Sequence, residues 1–441
     1  MDREIIEMLK EPGALRRRLD DMNIVDIADE FENIDGPDVI KVFRMLAKDK
    51  AAEVFAYLET DVQQSIIEAI TDKELKSIVE DLYLDDAVDF LEEMPSNVVN
   101  RVLANVTPDT RKMINQFLNY PEDSAGSIMT VEYVNLKGGM TVADAFAHIR
   151  ATGMDKETIY TCYVTDGGRR LIGSISARTL FLANKYDLIA DLMERDVIFA
   201  HTEDDRETLM SRFRNYGLIA MPVVDKEERL VGIVTFDDAL LVQKEEDTED
   251  FEKMAAMSPS DDPYLKTGIL TMSKNRLPWL LLLNLSVFFT SAVVANYEDA
   301  LAGLPILMTF IPMLMDSSGN AGSQSSTLII RGMALDEITM PDFLAVLWKE
   351  VRVSVVCGLT LAVANFVRML IFGHSAGLGL TVSLALLAAI VLAKILGAIL
   401  PLGAKIIKID PAVMAGPVLT TLVDLLSLML YFNLAKVIMK I

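Results

Sequence analysis

The chain has 441 residues and is 51% hydrophobic, yet its formal net charge is −23. From Gly268 onward 11 Lys and Arg stand against 9 Asp and Glu, whereas the preceding residues hold 30 basic and 55 acidic side chains. So acidic a first part repels phosphate and excludes non-specific nucleic-acid binding, while two Cys exclude a disulfide framework or Cys-rich metal centre and three scattered His count against a zinc enzyme. The start, MDREIIEMLK, has neither a basic n-region nor an apolar h-region, so no secretory signal is expected there. The acids are interleaved with Leu, Ile, Val and Phe at regular spacing, which argues against a disordered tail.

Residues 1–125 read as an all-α superhelical domain. A loose repeat recurs as Ala28-Asp-Glu-Phe31, Ala52-Glu-Val-Phe55 and Ala87-Val-Asp-Phe90. Each copy is expected to open an amphipathic helix that a turn such as Asp35-Gly36-Pro37 or Met94-Pro95-Ser96 joins to a second one. Residues 126–243 carry a second repeat of α/β character. Ile128-Met129-Thr130 and Leu192-Met193-Glu194 open its two copies, and Arg150 matches Arg214 at an offset of 64. Each copy reads strand, helix, strand, strand, helix, with hairpins at Gly167-Gly168-Arg169 and Lys226-Glu227-Glu228. A charged connecting, plug-like helix is expected within 244–270.

Residues 271–441 read as an α-helical membrane domain with five spans, at 277–297, 301–330, 353–372, 375–404 and 411–435. With the acidic part inside, Lys274, Arg276, Arg331, Lys349, Arg352, Lys405 and Lys408 flank the inner ends of the spans. Only Arg368, Lys436 and Lys440 flank the outer ends. That asymmetry places the N-terminal part in the cytoplasm.

Asp424 is the residue whose position demands a function, because a lone acid at bilayer depth costs roughly 2.5–3.5 kcal/mol on insertion scales. Such a cost is tolerated where the acid faces water or an ion, or bonds to a neighbouring helix. Thr420 and Thr421 sit a turn earlier, and Gly416-Pro417 can loosen the helix and free carbonyl oxygens. In the second span Gly319, Asn320 and Gly322 suit either a pore-lining stretch or a close helix contact. One strong acid per chain suits a hard divalent cation that dehydrates reluctantly and keeps several waters. A potential of 100 mV, inside negative, draws in a double charge with roughly 4.6 kcal/mol, so no nucleotide hydrolysis is needed. No Walker-type phosphate loop is seen.

The acids of the first part cluster. Asp85, Asp86 and Asp89 share one helix turn, with Glu92 and Glu93 on the next. Asp204, Asp205 and Glu207 begin a helix, and Glu245, Glu246, Asp247, Glu249 and Asp250 crowd the connector. Two carboxylates about 6 Å apart repel by roughly 3 kcal/mol at an effective dielectric of 20. If they face one another, a compact arrangement needs cations between them, and a divalent cation would close it. The alternative is a set of solvated helix faces and favourable charges at helix starts.

The repeat at 126–243 resembles a tandem pair of CBS domains. The whole chain resembles the MgtE family of magnesium transporters. The membrane part carries this resemblance in Ile311-Pro-Met-Leu-Met-Asp-Ser-Ser-Gly-Asn-Ala-Gly-Ser-Gln324, Leu328-Ile-Ile-Arg-Gly332 and Asp410-Pro-Ala through Gly416-Pro-Val-Leu-Thr-Thr-Leu-Val-Asp424. The N-terminal part carries it in Leu84-Asp-Asp-Ala-Val-Asp89 and Asp123-Ser-Ala-Gly126. The resemblance implies a non-enzymatic Mg²⁺ channel or transporter of the cell membrane, a homodimer in lipid, closed by Mg²⁺ bound on its cytosolic side. It implies Asp424 and Asn320 as pore residues, and Asp85, Asp89, Asp205, Glu207, Asp238, Glu246, Glu249 and Asp410 as sensor or gate ligands. Asp316 departs from the family pattern, where a small residue is more usual, and reads either as a second acidic ring at the pore mouth or as a water-exposed edge. Gly232-Ile-Val-Thr-Phe-Asp-Asp238 fits the G-x-x-T-x-x-D pattern of nucleotide-binding CBS domains, so ATP is a candidate regulatory ligand at Thr235, Asp238 and Arg178. CBS pairs also serve as dimerising hinges. The alternative function is a CBS-regulated transporter of another divalent cation, Mn²⁺ or Co²⁺. An anion pathway would want a midplane cation; Lys394 is the one candidate, and Asp424 opposes it.

Overall fold

The computed structural model describes residues 11–439 except 32, 33, 35, 36, 261–263, 266, 298–301 and 303. The chain's first ten residues, the Asp35-Gly36 turn and the start of the second expected span therefore lie outside the described residues. The chain divides into two units, Met1–Gln243 and Lys244–Ile441.

In the first unit, nine helices are seen among the described residues before the first strand: α1 Pro12–Asp21, α2 Ile24–Phe31, α3 Pro37–Phe43, α4 Lys48–Ala56, α5 Thr60–Ala69, α6 Asp72–Asp81, α7 Leu84–Glu92, α8 Ser96–Asn105 and α9 Pro108–Phe117. Local chemistry sets their ends. Thr71 caps α6 in a reciprocal bond with Glu74, and Thr107 caps α9, which Pro108 opens with a φ already suited to a helix. Lys50 donates to the carbonyls of Leu19, Asp20 and Met22 at the end of α1, and Arg101 donates to Ile67 and Ile70 at the end of α5. The repeat motif does not open its helices. Phe31 closes α2, Phe55 sits one residue from the end of α4, and Phe90 lies in the last turns of α7. The reason is packing: each Phe is buried, and Phe31, Phe43, Phe55 and Phe90 form a chain of edge-on rings 5.1–6.3 Å apart.

The rest of this unit is two three-stranded sheets with flanking helices. The first holds β1 Tyr133–Lys137, α10 Val142–Thr152, β2 Thr158–Thr165, β3 Leu171–Ser176, α11 Ala177–Leu182 and α12 Ile189–Leu192. The second holds β4 Ala200–His201, α13 Arg206–Tyr216, β5 Ala220–Val224, β6 Leu230–Thr235 and α14 Phe236–Met254. In each sheet the first strand is parallel and the third antiparallel to the middle one. The hairpins turn at Arg169 (φ 67°) and Glu228 (φ 61°).

The opening segments do not stay with the copies they open. Thr130 pairs with Ile233 of the second copy, N–H to carbonyl in both directions at 2.8 and 2.9 Å, and Glu194 pairs with Ser174 of the first at 2.8 and 2.9 Å. Glycine permits both crossings: a Cβ at Gly232 would sit 2.7 Å from the Met129 sulfur, and one at Gly173 2.6 Å from the Met193 sulfur.

α14 runs unbroken from Phe236 to Met254, so the connecting helix continues the last CBS helix. The second unit holds α15 Ile269–Asn296, α16 Ile311–Ala334, α17 Phe343–Ile371, α18 Ala376–Ile406 and α19 Pro417–Met439. Among the described residues four helices are long and apolar enough to cross a membrane, within 269–296, 340–371, 376–406 and 411–439. The second expected span falls on α16, 24 residues long, whose Asp, Asn, Gln, Ser and Gly content keeps it outside that set. A two-turn 3-10 helix, Pro305–Phe310, precedes it, and the buried Tyr431 hydroxyl donates to Leu307 there at 3.0 Å.

Candidate ion sites

The first site lies within the first unit. Asp85 is 7% exposed, and its Oδ1 has no hydrogen-bond partner. Burial, with Asp238, Asp86 and Glu157 beside it, pushes its carboxyl well above the ordinary range. Burial and then Asp238, Asp237 and Glu132 raise Asp86 to about 6. Burial and then Asp238, Asp237, Asp86 and Glu132 raise Glu157 to about 8, and its Oε2 is also buried without a partner. Asp238 is raised by burial against the opposing bond from Thr235. Carboxylates from α7, α14 and two loops thus share one buried region and repel one another. Among the described residues no three His, Cys, Asp or Glu stand close enough to grip a bare ion.

The sequence-predicted residues divide around this cluster. Asp85 and Asp238 belong to it. Asp89 is exposed, farther along α7. Asp205 caps α13, its Oδ1 accepting from the amides of Glu207 and Thr208 at 2.9 and 3.3 Å. Glu207 is exposed in the first turn of that helix. Glu157 and Glu132 carried no sequence signal, because both sit in loops where no periodicity marks a face. The nucleotide set also divides. The Thr235 hydroxyl donates to Asp238 inside the acidic cluster. Arg178 lines a cavity of about 490 Å³ in the first CBS copy, with Ser176, Thr179, Leu182, Leu192 and Glu194.

The second site lies within the second unit, at the end of α14. Lys253 donates to Asp410 at 2.7 Å and pairs with Glu249. Burial would lower the Lys253 pKa, but these two bonds outweigh it and raise it to about 12. Burial and the nearby Asp410 raise Asp250 to about 6, with Lys253 opposing. Asp410 also caps a 3-10 turn through Ala412 N–H at 2.8 Å. Glu246 lies half-buried on the same helix. A tethered ammonium thus sits among the carboxylates of this site.

The third site lies among the long helices. Asp424 is half-buried on α19 and has no ion-pair partner among the described residues. α16 packs closely here: a Cβ at Gly319 would meet Thr420 at 3.7 Å, and one at Gly322 would meet Val423 at 3.5 Å. Asn320 is therefore carried on a helix that touches the helix of Asp424. A Cβ at Gly397 of α18 would sit 2.5 Å from the Gly322 carbonyl, so this crossing requires glycine. Asp316, Asn320, Gln324, Thr327 and Arg331 recur at helical spacing along α16 and are all exposed in the single chain. Thr420 donates to the Pro417 carbonyl of its own helix at 3.1 Å, and Thr421 bonds Ser286 of α15 at 3.4 Å.

Lys394 is 6% exposed and donates to Ser325 at 3.1 Å, and Ser325 in turn donates to Glu350 at 2.6 Å. Its charge is thereby balanced within the bundle across α16, α17 and α18, which removes the one midplane cation an anion pathway would use.

The architecture is that of an integral membrane transporter that carries a helical domain and a CBS pair. Family models match in the same order: the MgtE intracellular N domain at 22–123, the CBS domain at 189–245 and MgtE, divalent cation transporter, at 311–434. The chain is 33% identical to the magnesium transporter MgtE of Thermus thermophilus over 430 residues, covering 97% of this chain and 95% of the relative. To the magnesium transporter MgtE of Bacillus subtilis it is 30% identical over 420 residues, 95% and 93% of the two chains. The crystal structure of the cytosolic domain of the Mg²⁺ channel MgtE in complex with ATP is 35% identical, covers 55% of this chain and 100% of its own, and superposes with a TM-score of 0.52. The chain belongs to the MgtE family.

Proposed function

We propose that this protein carries Mg²⁺ into the cell across the plasma membrane, along a path lined by Asp424 and Asn320, with all five long helices spanning the bilayer. It is a transporter and performs no covalent chemistry. The observation that carries the reading is Asp424, a carboxylate without an ion-pair partner among the described residues, on an apolar helix that touches the Gly319 and Gly322 face of α16, the helix that also carries Asn320. The names of the relatives support Mg²⁺ as the ion. The exposed polar row on α16 supports a homodimer, because such a row is costly against lipid and is satisfied against a second copy or water.

Cytosolic Mg²⁺ closes the path. Without cations, the buried acids around Asp85 and Asp238 disfavour the compact form; a hydrated Mg²⁺, held through its waters, offsets that repulsion and shifts the population. Asp89, Asp205, Glu207, Glu246, Glu249 and Asp410 supply further sensing carboxylates on this reading. ATP acts as a regulatory ligand, with Arg178 in the cavity wall as its phosphate partner.

The test is reconstitution of the full chain in liposomes with an internal Mg²⁺ dye. Asp424→Ala abolishes uptake if the path is right. Uptake equal to that of the parent chain would refute it.

A further inference from the structure

Asn320 and Asp316 are bonded to each other: the Asn320 amide NH₂ donates to Asp316 Oδ1 at 3.2 Å, one turn apart on α16. A carboxylate cannot donate, so this contact fixes which end of the Asn320 amide faces which way. Its donor end is held by Asp316, and its carbonyl oxygen is left as the outward group. Both residues are exposed on the polar row of the helix. The pair therefore presents two acceptors and one net negative charge. A hydrated divalent cation presents the complement, a shell of water protons around a double positive charge. An asparagine alone could turn its NH₂ toward that shell and repel it; Asp316 prevents the flip.

We infer that Asp316 and Asn320 form a docking site for the hydrated divalent cation, in which Asp316 supplies charge and also orients the Asn320 carbonyl. This rests on the proposed ion path. It adds a second carboxylate to the path that Asp424 lines, near the level of Asp424, since Thr420 meets Gly319 and Tyr431 reaches Leu307, and it assigns the Asp at 316 a role in capture.

The test uses the full chain in liposomes, titrated with Mg²⁺ and blocked with hexamminecobalt(III), an inert cation whose six ammonia ligands donate N–H as waters donate O–H. Asp316→Asn removes the charge and, because its amide can both accept and donate, no longer fixes which end of Asn320 faces outward. It is expected to raise half-saturating Mg²⁺ about three- to tenfold and to weaken the cobalt block by a similar factor, while maximal uptake stays within about twofold. Asp316→Ala removes the charge and the side-chain partner altogether and shifts both further, and Asp316→Glu restores the parent titration. A superimposable Mg²⁺ titration with unchanged block in Asp316→Asn overturns the site. Asp424→Ala, run in parallel, separates the causes: unchanged uptake there overturns the ion path itself, whereas lost uptake there with an unchanged Asp316→Asn titration overturns this site alone.

Discussion

The two units treat charge in opposite ways. In the first, acids are plentiful, and those around Asp85 and Asp238 face one another with their pKa values driven up by burial and mutual repulsion. In the second, charges are few and several are neutralised inside the protein: Lys394 through Ser325 by Glu350, and Lys253 by Asp410 and Glu249. Unbalanced charge is stored energy that a soluble ion can release. Balanced charge is structure. Asp424 is an exception within the second unit, and the contrast separates carboxylates that report an ion from carboxylates that hold helices.

The comparison is broken most directly at Asp424. Replacing it with Ala lowers liposome Mg²⁺ uptake at least about tenfold, since a carboxylate and a divalent ion at about 6 Å interact by several kcal/mol at an effective dielectric of 20. Gly397→Ala tests the helix crossing instead. With no room for a methyl against the Gly322 carbonyl, overpacking costs about 1–3 kcal/mol and lowers the melting temperature in detergent. An unshifted melt would mean that α16 and α18 part easily.

In the first unit Asp85→Asn deletes one of the repelling charges. The full chain then resists protease better without Mg²⁺, and the concentration dependence of Mg²⁺ protection flattens by about tenfold. Unchanged protection at every Mg²⁺ concentration would remove Asp85 from the sensor. The smallest effect is that of pH. The folded pKa values of Asp86 and Glu157, about 6 and about 8, lie above their ordinary values of 3.8 and 4.5. The folded state therefore binds more protons than the unfolded state across that window, and stability falls as pH rises through it. Without Mg²⁺ the chain melts a few degrees higher at pH 6 than at pH 8, and millimolar Mg²⁺ narrows the gap. A melt that rises with pH would contradict the cluster.

Much of this organisation is legible in the residues. The helical, α/β and apolar stretches follow from hydrophobic period and composition, and the hairpin turns follow from their Gly and charged residues. Asp424 stands out because nothing charged surrounds it. What stays hidden depends on distance along the chain. Glu157 joins Asp85 across some seventy residues, and a loop has no face to betray it. The Ala-to-Phe motif marks buried rings, and a repeat of buried rings says nothing about which end of a helix it occupies. Thr235 and Asp238 match a nucleotide pattern, yet their neighbours are acids brought in from another domain. Lys394 looks like a free cation until Ser325 and Glu350, on two other helices, are set beside it.

The exchange of opening segments between the CBS copies has a mechanical consequence. Each sheet is completed by a strip of chain that belongs, in sequence order, to the other copy. Like two people each holding the other's coat, neither can step away alone. Local opening of one copy strips the edge from its twin, so the pair behaves as one cooperative foldon. A cut between them would yield two incomplete pieces and no half-size regulator.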